Sequence, residues 1–163
     1  MGISQRLKYI ADLVTPGYIA ADIGTDHGFV PVYLVKNEIS PKAFAMDISK
    51  GSLQKAEELV AKLNLTEKIE CRLSDGFEKL SPGEADSIII AGMGGILMCS
   101  IMEAAPEVLE SAIEVIVSPH RDTELVRSVL ISHGFTIVSD VVINDKKKNY
   151  TVIKAQNEKL KNI

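Results

Sequence analysis

The sequence predicts an α/β fold: a mostly parallel sheet of about seven strands, helices on both faces, and an antiparallel hairpin at the C-terminal end. Three observations lead there. Short apolar runs bounded by turn residues alternate with stretches whose apolar residues recur at helical spacing. Several of the runs stop at an aspartate or a glycine loop, as parallel strands do at a ligand-facing edge. The last two strands follow each other without a helix, which makes them antiparallel neighbours. At 163 residues, with 46% hydrophobic and 25% charged side chains, the chain suits one globular domain with a proper core.

Leu7, Ile10, Ala11 and Val14 fall on one face of a helix that Ser4 can cap, with Arg6 and Lys8 on the other side and Thr15-Pro16-Gly17 ending it. Tyr18 to Ala21 form the first strand, which stops at Asp22-Ile23-Gly24-Thr25-Asp26-His27-Gly28. Pro31 opens a helix to about Asn37, and Ala43-Phe44-Ala45-Met46-Asp47 is the second strand. Ser49 to Asn64 is the next helix, with Leu53, Ala56, Leu59, Val60 and Leu63 as its apolar stripe. Ile69 to Leu73 alternates as a strand and closes at Ser74-Asp75-Gly76.

Ala85 to Ala91 is a continuous apolar run of the kind buried on both faces, and it enters Gly92-Met93-Gly94-Gly95 before a helix from Ile96 to Met102. Glu107 to Ser111 is helical, and Ile113 to Val117 is a strand ending in Ser118-Pro119-His120-Arg121. Asp122 or Thr123 caps a helix through Ser132, which His133-Gly134 terminates. Phe135 to Ile143 and Tyr150 to Lys154 are the terminal strands, joined by the polar segment Asn144 to Asn149. The domain is expected over residues 1–155, with 156–163 a charged tail. The first five strands are expected to be separated by helices.

The loop after the first strand is not a phosphate cradle. It lacks a Gly-Lys-Ser/Thr ending, has two glycines where a dinucleotide fingerprint needs three, and carries Asp22 and Asp26, which repel a pyrophosphate. A cationic ligand suits it better. Asp-x-Gly followed by a short polar loop is the pattern with which class I methyltransferases hold S-adenosylmethionine, whose sulfonium and amino groups are both positive. Asp47, 25 residues after Asp22, stands where an acid binds the two hydroxyls of a ribose. Asp75 can accept an adenine amine, although Asp-Gly is also a common turn. Three glycines within Gly92 to Gly95 expose backbone for close approach by something flat.

Other chemistries are excluded or unsupported. Cys71 and Cys99 lie far apart without a Cys-x-x-Cys pair or a histidine cluster, so neither zinc nor a disulfide is indicated and both read as buried small hydrophobes. No apolar run approaches bilayer length and no signal peptide opens the chain, so a cytoplasmic protein without membrane contact is expected. A net charge of −4 disfavours general nucleic-acid binding, and the lysines from Lys146 to Lys161 read as a solvated turn and end. Nothing in the sequence assigns an oligomeric state.

With these motifs in view, the chain resembles the bacterial tRNA (adenine(22)-N(1))-methyltransferase family over nearly its whole length, to about Ala155. The resemblance is carried by Ser4-Gln5-Arg6-Leu7, Ala21 to His27 with Pro31 beyond, Arg72 to Gly76, and above all Ile90-Ala91-Gly92-Met93-Gly94-Gly95. It implies a Rossmann-like class I methyltransferase fold and an enzyme that moves a methyl group from S-adenosyl-L-methionine to N1 of an adenine in tRNA.

On that basis Asp22, Gly24, Thr25, His27, Asp47, Ile48, Asp75, Gly76, Gly92, Met93 and Gly94 are the expected cofactor-binding residues. Asp26 is the candidate for stabilising the developing positive charge, and Arg6, His120 and Arg121 are candidates for the tRNA. Family members continue into a helical C-terminal domain that helps hold tRNA, and this sequence stops at Ile163, a departure that bears on its tRNA affinity. Ser118-Pro119-His120 also departs from the Gln-Pro-Asn-like stretch common there, which bears on base contacts. The rival readings are a small-molecule methyltransferase, a cofactor-binding domain without catalysis, and a nicotinamide-dependent oxidoreductase, the last disfavoured by the two-glycine loop and the terminal hairpin.

Overall fold

In the computed structural model, which describes residues 3–161, the first helix α1 spans Gln5–Asp12. Ser4 caps it by accepting the Leu7 N–H on its hydroxyl. Leu7, Ile10 and Ala11 are buried, as their spacing requires.

The sheet holds seven strands: β1 (Ala20–Ile23), β2 (Ala43–Asp47), β3 (Ile69–Leu73), β4 (Ser87–Met93), β5 (Glu114–Pro119), β6 (Phe135–Asp145) and β7 (Lys148–Asn157). Their spatial order is β3-β2-β1-β4-β5-β7-β6. β1 to β5 pair in parallel, and β7 inserts antiparallel between β5 and β6. The chain winds outward from β1 in one direction through β2 and β3, then returns to β4 on β1's other side. That reversal opens a crevice beyond the carboxyl ends of β1 and β4.

Helices α2 (Phe29–Lys36), α3 (Lys50–Lys62), α4 (Gly95–Ala104), α5 (Pro106–Leu109) and α6 (Thr123–Ser132) complete the fold. Separate cores lie on the two faces. Phe44, Ile88, Ile90, Met98, Met102, Val115 and Leu130 belong to one, while Ile10, Leu34, Ile89, Ile116 and Val152 belong to the other. Adjacent residues Ile88, Ile89 and Ile90 thus alternate between faces, the period of a strand covered on both sides.

Five sequence expectations are corrected. No helix separates β3 from β4: the connection is turns, with Phe77, Leu80 and Ala85 buried, and Arg72 pins it by donating to Lys79 O and Glu84 Oε1, each at 2.7 Å. The polar Asn144–Asn149 segment is strand except for a two-residue turn at Lys146 and Lys147, whose φ angles of 52° and 68° match the twist of a tight hairpin.

Asp122 stands before α6 but makes no side-chain cap and has a φ of 58°; its carbonyl and that of Arg121 lie against Gly95 instead. Lys154 belongs to no solvated end, because its ammonium donates to Leu13 O at 2.7 Å. The last strand continues to Asn157, whose side-chain amide donates to Glu110 O and Ala112 O. Residues 162 and 163 of the expected tail lie outside the described residues.

Candidate active site

β1 places Asp22 at the reversal point of the sheet. Its side chain is buried, and Thr25 Oγ1 donates to Asp22 Oδ2 at 2.9 Å. Loss of solvation pushes the carboxyl up to about 7; the Thr25 bond works against the rise and the charges of Asp26 and Asp47 add to it. The backbone then turns sharply, with Gly24 N and Thr25 N both donating to Met46 O at 2.9 Å. Gly24 has a φ of 78°, and a Cβ there would stand 3.0 Å from Met93 Cε. The left-handed φ is what favours glycine here, since the Met93 methyl is the end of a flexible side chain.

Two clefts meet at Gly24. The first, about 340 Å³, is lined by Arg6, Leu7, Asp22, Thr25, Asp26, Ala91, Gly92 and His120 as well as Gly24. The second is a narrow apolar slot between Ile23, Ile48, Met93, Leu97 and Ile101, with Asp47 and Asp75 at its polar side. Asp47 is fixed there by accepting the Ser49 N–H at 2.8 Å. Ile48 is 68% and Leu97 54% exposed, so the slot presents large apolar side chains to solvent at its mouth. Residues widely separated in sequence, from Arg6 to His120, thus share one edge of the sheet.

Not every expected site residue points inward. The His27 ring stacks on Phe29 with centroids 5.2 Å apart, and its Nδ1 lies 2.6 Å from Asp26 Oδ1, so the side chain lines neither cleft. Only part of the glycine run faces the cavity. Gly92 does, with a φ of 79° and open space where a Cβ would be, whereas a Cβ at Gly95 would come within 2.5 Å of Arg121 O. The close approach at Gly95 is by the chain's own backbone. Gly94 packs beside the Arg121 side chain, and Arg121 opens on a neighbouring cavity shared with His120.

Arg6 does not point to solvent. Its guanidinium lies 4.7 Å from the Tyr150 ring centroid, its Nη1 is buried without a hydrogen-bond partner, and its backbone N–H donates to Asp145 Oδ2. Tyr150, Leu97 and Ile101 are lining or supporting residues that the sequence reading does not single out. The doublet Ile96-Leu97 immediately after a glycine run is a signal for one of them; nothing local marks Tyr150.

Against known proteins, residues 3–153 match the family described as methyltransferase domain. The chain belongs to this methyltransferase family. It is 34% identical over 154 residues to the tRNA (adenine(22)-N(1))-methyltransferase of Bacillus subtilis (strain 168), covering 94% of this chain and 65% of that protein. It therefore spans just under two thirds of that relative's length.

The crystal structure of the B. subtilis M1A22 tRNA methyltransferase TrmK aligns with a TM-score of 0.90 and 34% identity, over 94% of this methyltransferase chain and 66% of that one. Sp1610 of Streptococcus pneumoniae, crystallised in complex with S-adenosyl-L-methionine, aligns with a TM-score of 0.91 and 32% identity, over 95% of this chain and 73% of that one. The seven-stranded sheet with its antiparallel terminal hairpin is the fold these proteins share.

Proposed function

We propose that this chain is an S-adenosylmethionine-dependent methyltransferase acting on N1 of an adenine in tRNA. The observation that carries the proposal is the junction at Gly24 of an acid-lined polar cleft with an apolar slot edged by two further carboxylates.

The residues present fit the cofactor on the chemistry of that donor set. Asp47 offers two carboxylate oxygens to a ribose diol, while Ile48, Met93 and Leu97 offer apolar surface to an adenine whose amine Asp75 can accept. Gly24, Thr25 and the Asp26–His27 backbone border the place for the methionine end. Bound there, the cofactor supplies an electrophilic methyl group. Asp22 and Asp26 bring negative potential to the same cleft, and Arg6 brings its unsatisfied Nη1 for a carboxylate or phosphate oxygen.

The chain's own task is positioning. Neutral adenine N1 already carries its lone pair, so no residue has to remove a proton before the transfer. The product base is cationic, and Asp26, exposed at the cleft, is placed to stabilise that charge. Gly92 leaves open backbone for the flat face of a base, and His120 lines the same cleft. An adenine stacked in folded tRNA has to be extruded to reach this depth. The names of the B. subtilis relative and of its solved structure support tRNA over a small molecule.

The test is transfer of labelled methyl to unmodified bulk tRNA, followed by nucleoside mass spectrometry, beside cofactor calorimetry. 1-Methyladenosine is expected. Cofactor binding with methylation of small molecules only would overturn the tRNA assignment, and absence of cofactor binding would overturn the whole reading.

A further inference from the structure

The tip of the terminal hairpin has no part in either cleft, yet the topology carries it to the same edge of the sheet. β7 runs antiparallel to β5 with Ile153 opposite Val117, so its first residues extend past β5's carboxyl end. Thr151 O, which accepts the Ser118 hydroxyl at 2.8 Å, marks where the two strands part. From there to the turn the hairpin projects on the order of 13 Å, at about 3.3 Å per residue.

The turn residues Lys146 and Lys147 both adopt left-handed φ angles, 52° and 68°. Asn-Gly is the favoured pair in such a turn, and lysine is strained there. Lys148 follows directly, and all three are exposed. Across from them stand Arg121 and His120. Between the hairpin and the β5–α6 connection lies a cavity of about 400 Å³ lined by His120, Arg121, Thr123, Lys148, Asn149 and Tyr150. His120 also lines the cleft that holds Asp22 and Asp26, so the two cavities adjoin.

The charges here are uncompensated. Among the described residues no carboxylate lies within 4.0 Å of the charged nitrogens of Arg121, Lys146, Lys147 or Lys148. Asp145, next to the turn, is buried and accepts the Arg6 backbone N–H. On the facing element Glu124 is engaged by Arg127, which leaves Asp122 as the free acid. Four cations thus gather beside the site of a protein whose net charge is −4.

We propose that this surface is a dock for the RNA backbone: phosphates flanking the target nucleotide enter the His120–Arg121–Lys148 cavity, and the Lys146–Lys147 tip takes those beyond. The proposal rests on the tRNA methyltransferase reading and assigns it a substrate-holding element outside the cleft. Phosphate contacts of this kind set register and contribute a salt-dependent part of affinity.

The test compares the wild type with a Lys146→Ala/Lys147→Ala/Lys148→Ala variant by fluorescence anisotropy on unmodified tRNA from 50 to 200 mM salt. A control with equal charge loss, Lys36→Ala/Lys55→Ala/Lys62→Ala, carries its changes on α2 and α3. Expected are a tenfold or greater loss of tRNA affinity in the hairpin variant only, and a fall of about 2–3 in its log–log salt slope. Thermal stability and cofactor calorimetry should be unchanged. Affinity and slope within twofold of wild type would overturn the dock alone. Wild-type protein that binds cofactor but no tRNA at 50 mM salt would overturn the dock together with the tRNA reading.

Discussion

Asp22 and Glu114 are both carboxylates buried in central parallel strands, at opposite edges of the sheet, and they are treated in opposite ways. Glu114, at the amino end of β5 and 1% exposed, accepts the Thr15 N–H at 2.9 Å and the Thr15 hydroxyl at 2.6 Å, with the Lys154 ammonium 3.5 Å away. Asp22, near the carboxyl end of β1 and 5% exposed, has one hydroxyl donor, Thr25, and feels two like charges. Burial without full compensation costs free energy, and a fold tolerates it where the unsatisfied group has other use. At the amino edge polarity serves stability, tying the end of α1 to β5 and β7; at the carboxyl edge it lines the cleft proposed for the cofactor.

The largest effect expected from breaking this contrast is at the amino edge. Glu114→Ala removes the counter-charge of the Lys154 ammonium, which keeps only Leu13 O and Thr15 Oγ1, and takes both acceptors of Thr15, the kind of half-removed buried pair that costs about 3–5 kcal/mol. Urea unfolding should show that loss, while cofactor affinity of the folded fraction stays within twofold in calorimetry. A loss under 1 kcal/mol would mean that water replaces the carboxylate freely.

At the carboxyl edge the same kind of change should run the other way. Because the Asp22 carboxyl titrates near 7 in the fold and near its ordinary value of 3.8 when unfolded, the folded protein binds the extra proton between those limits. Stability of the unliganded protein therefore falls as pH rises from about 4 to about 7. Asp22→Asn removes this slope and should stabilise the unliganded protein at pH 8 by about 2–4 kcal/mol, while weakening the cofactor. Parallel pH profiles of Tm for the two proteins would refute the assignment.

The two edges were unequally legible in the sequence. The number of strands and the terminal antiparallel hairpin follow from periodicity and from the missing helix between the last two strands, which are local signals; the reversal at β1 and the insertion of β7 between β5 and β6 are not. The acids Asp22, Asp47 and Asp75 were visible because they end apolar runs, and runs end where a parallel sheet binds ligands.

Glu114 was not visible as special: inside Ile113–Val117 a single acid reads as an ordinary solvent-facing position, and its partners Thr15 and Lys154 are 99 and 40 residues away. For Arg6 the sequence offers both the polar side of its helix and a place at the substrate, and the choice between them is made by distant chain, which supplies Tyr150 and the cleft. The glycine run suggests three openings for a ligand, whereas Gly95 is filled by the backbone before α6. Spacing along a chain reports which edge a residue reaches; it does not report which neighbour arrives there first.

The smallest effect separates the ligand-facing acids from each other. Asp47 is half-buried rather than buried and already holds one donor, Ser49 N–H at 2.8 Å, so it is neither a stability element like Glu114 nor a desolvated one like Asp22. Asp47→Ala should cost under ~1 kcal/mol of folding stability, the worth of one exposed hydrogen bond at the strand end. Its consequence belongs to binding. Losing two charge-assisted bonds to a ribose diol should weaken S-adenosylmethionine by about 1–3 kcal/mol in calorimetry. The readout that sharpens the contrast is the 2′-deoxyribose analogue of the cofactor: wild type should discriminate against it and Asp47→Ala should not. Equal discrimination by both proteins would move ribose recognition away from β2 and leave Asp47 as a helper of the turn into α3.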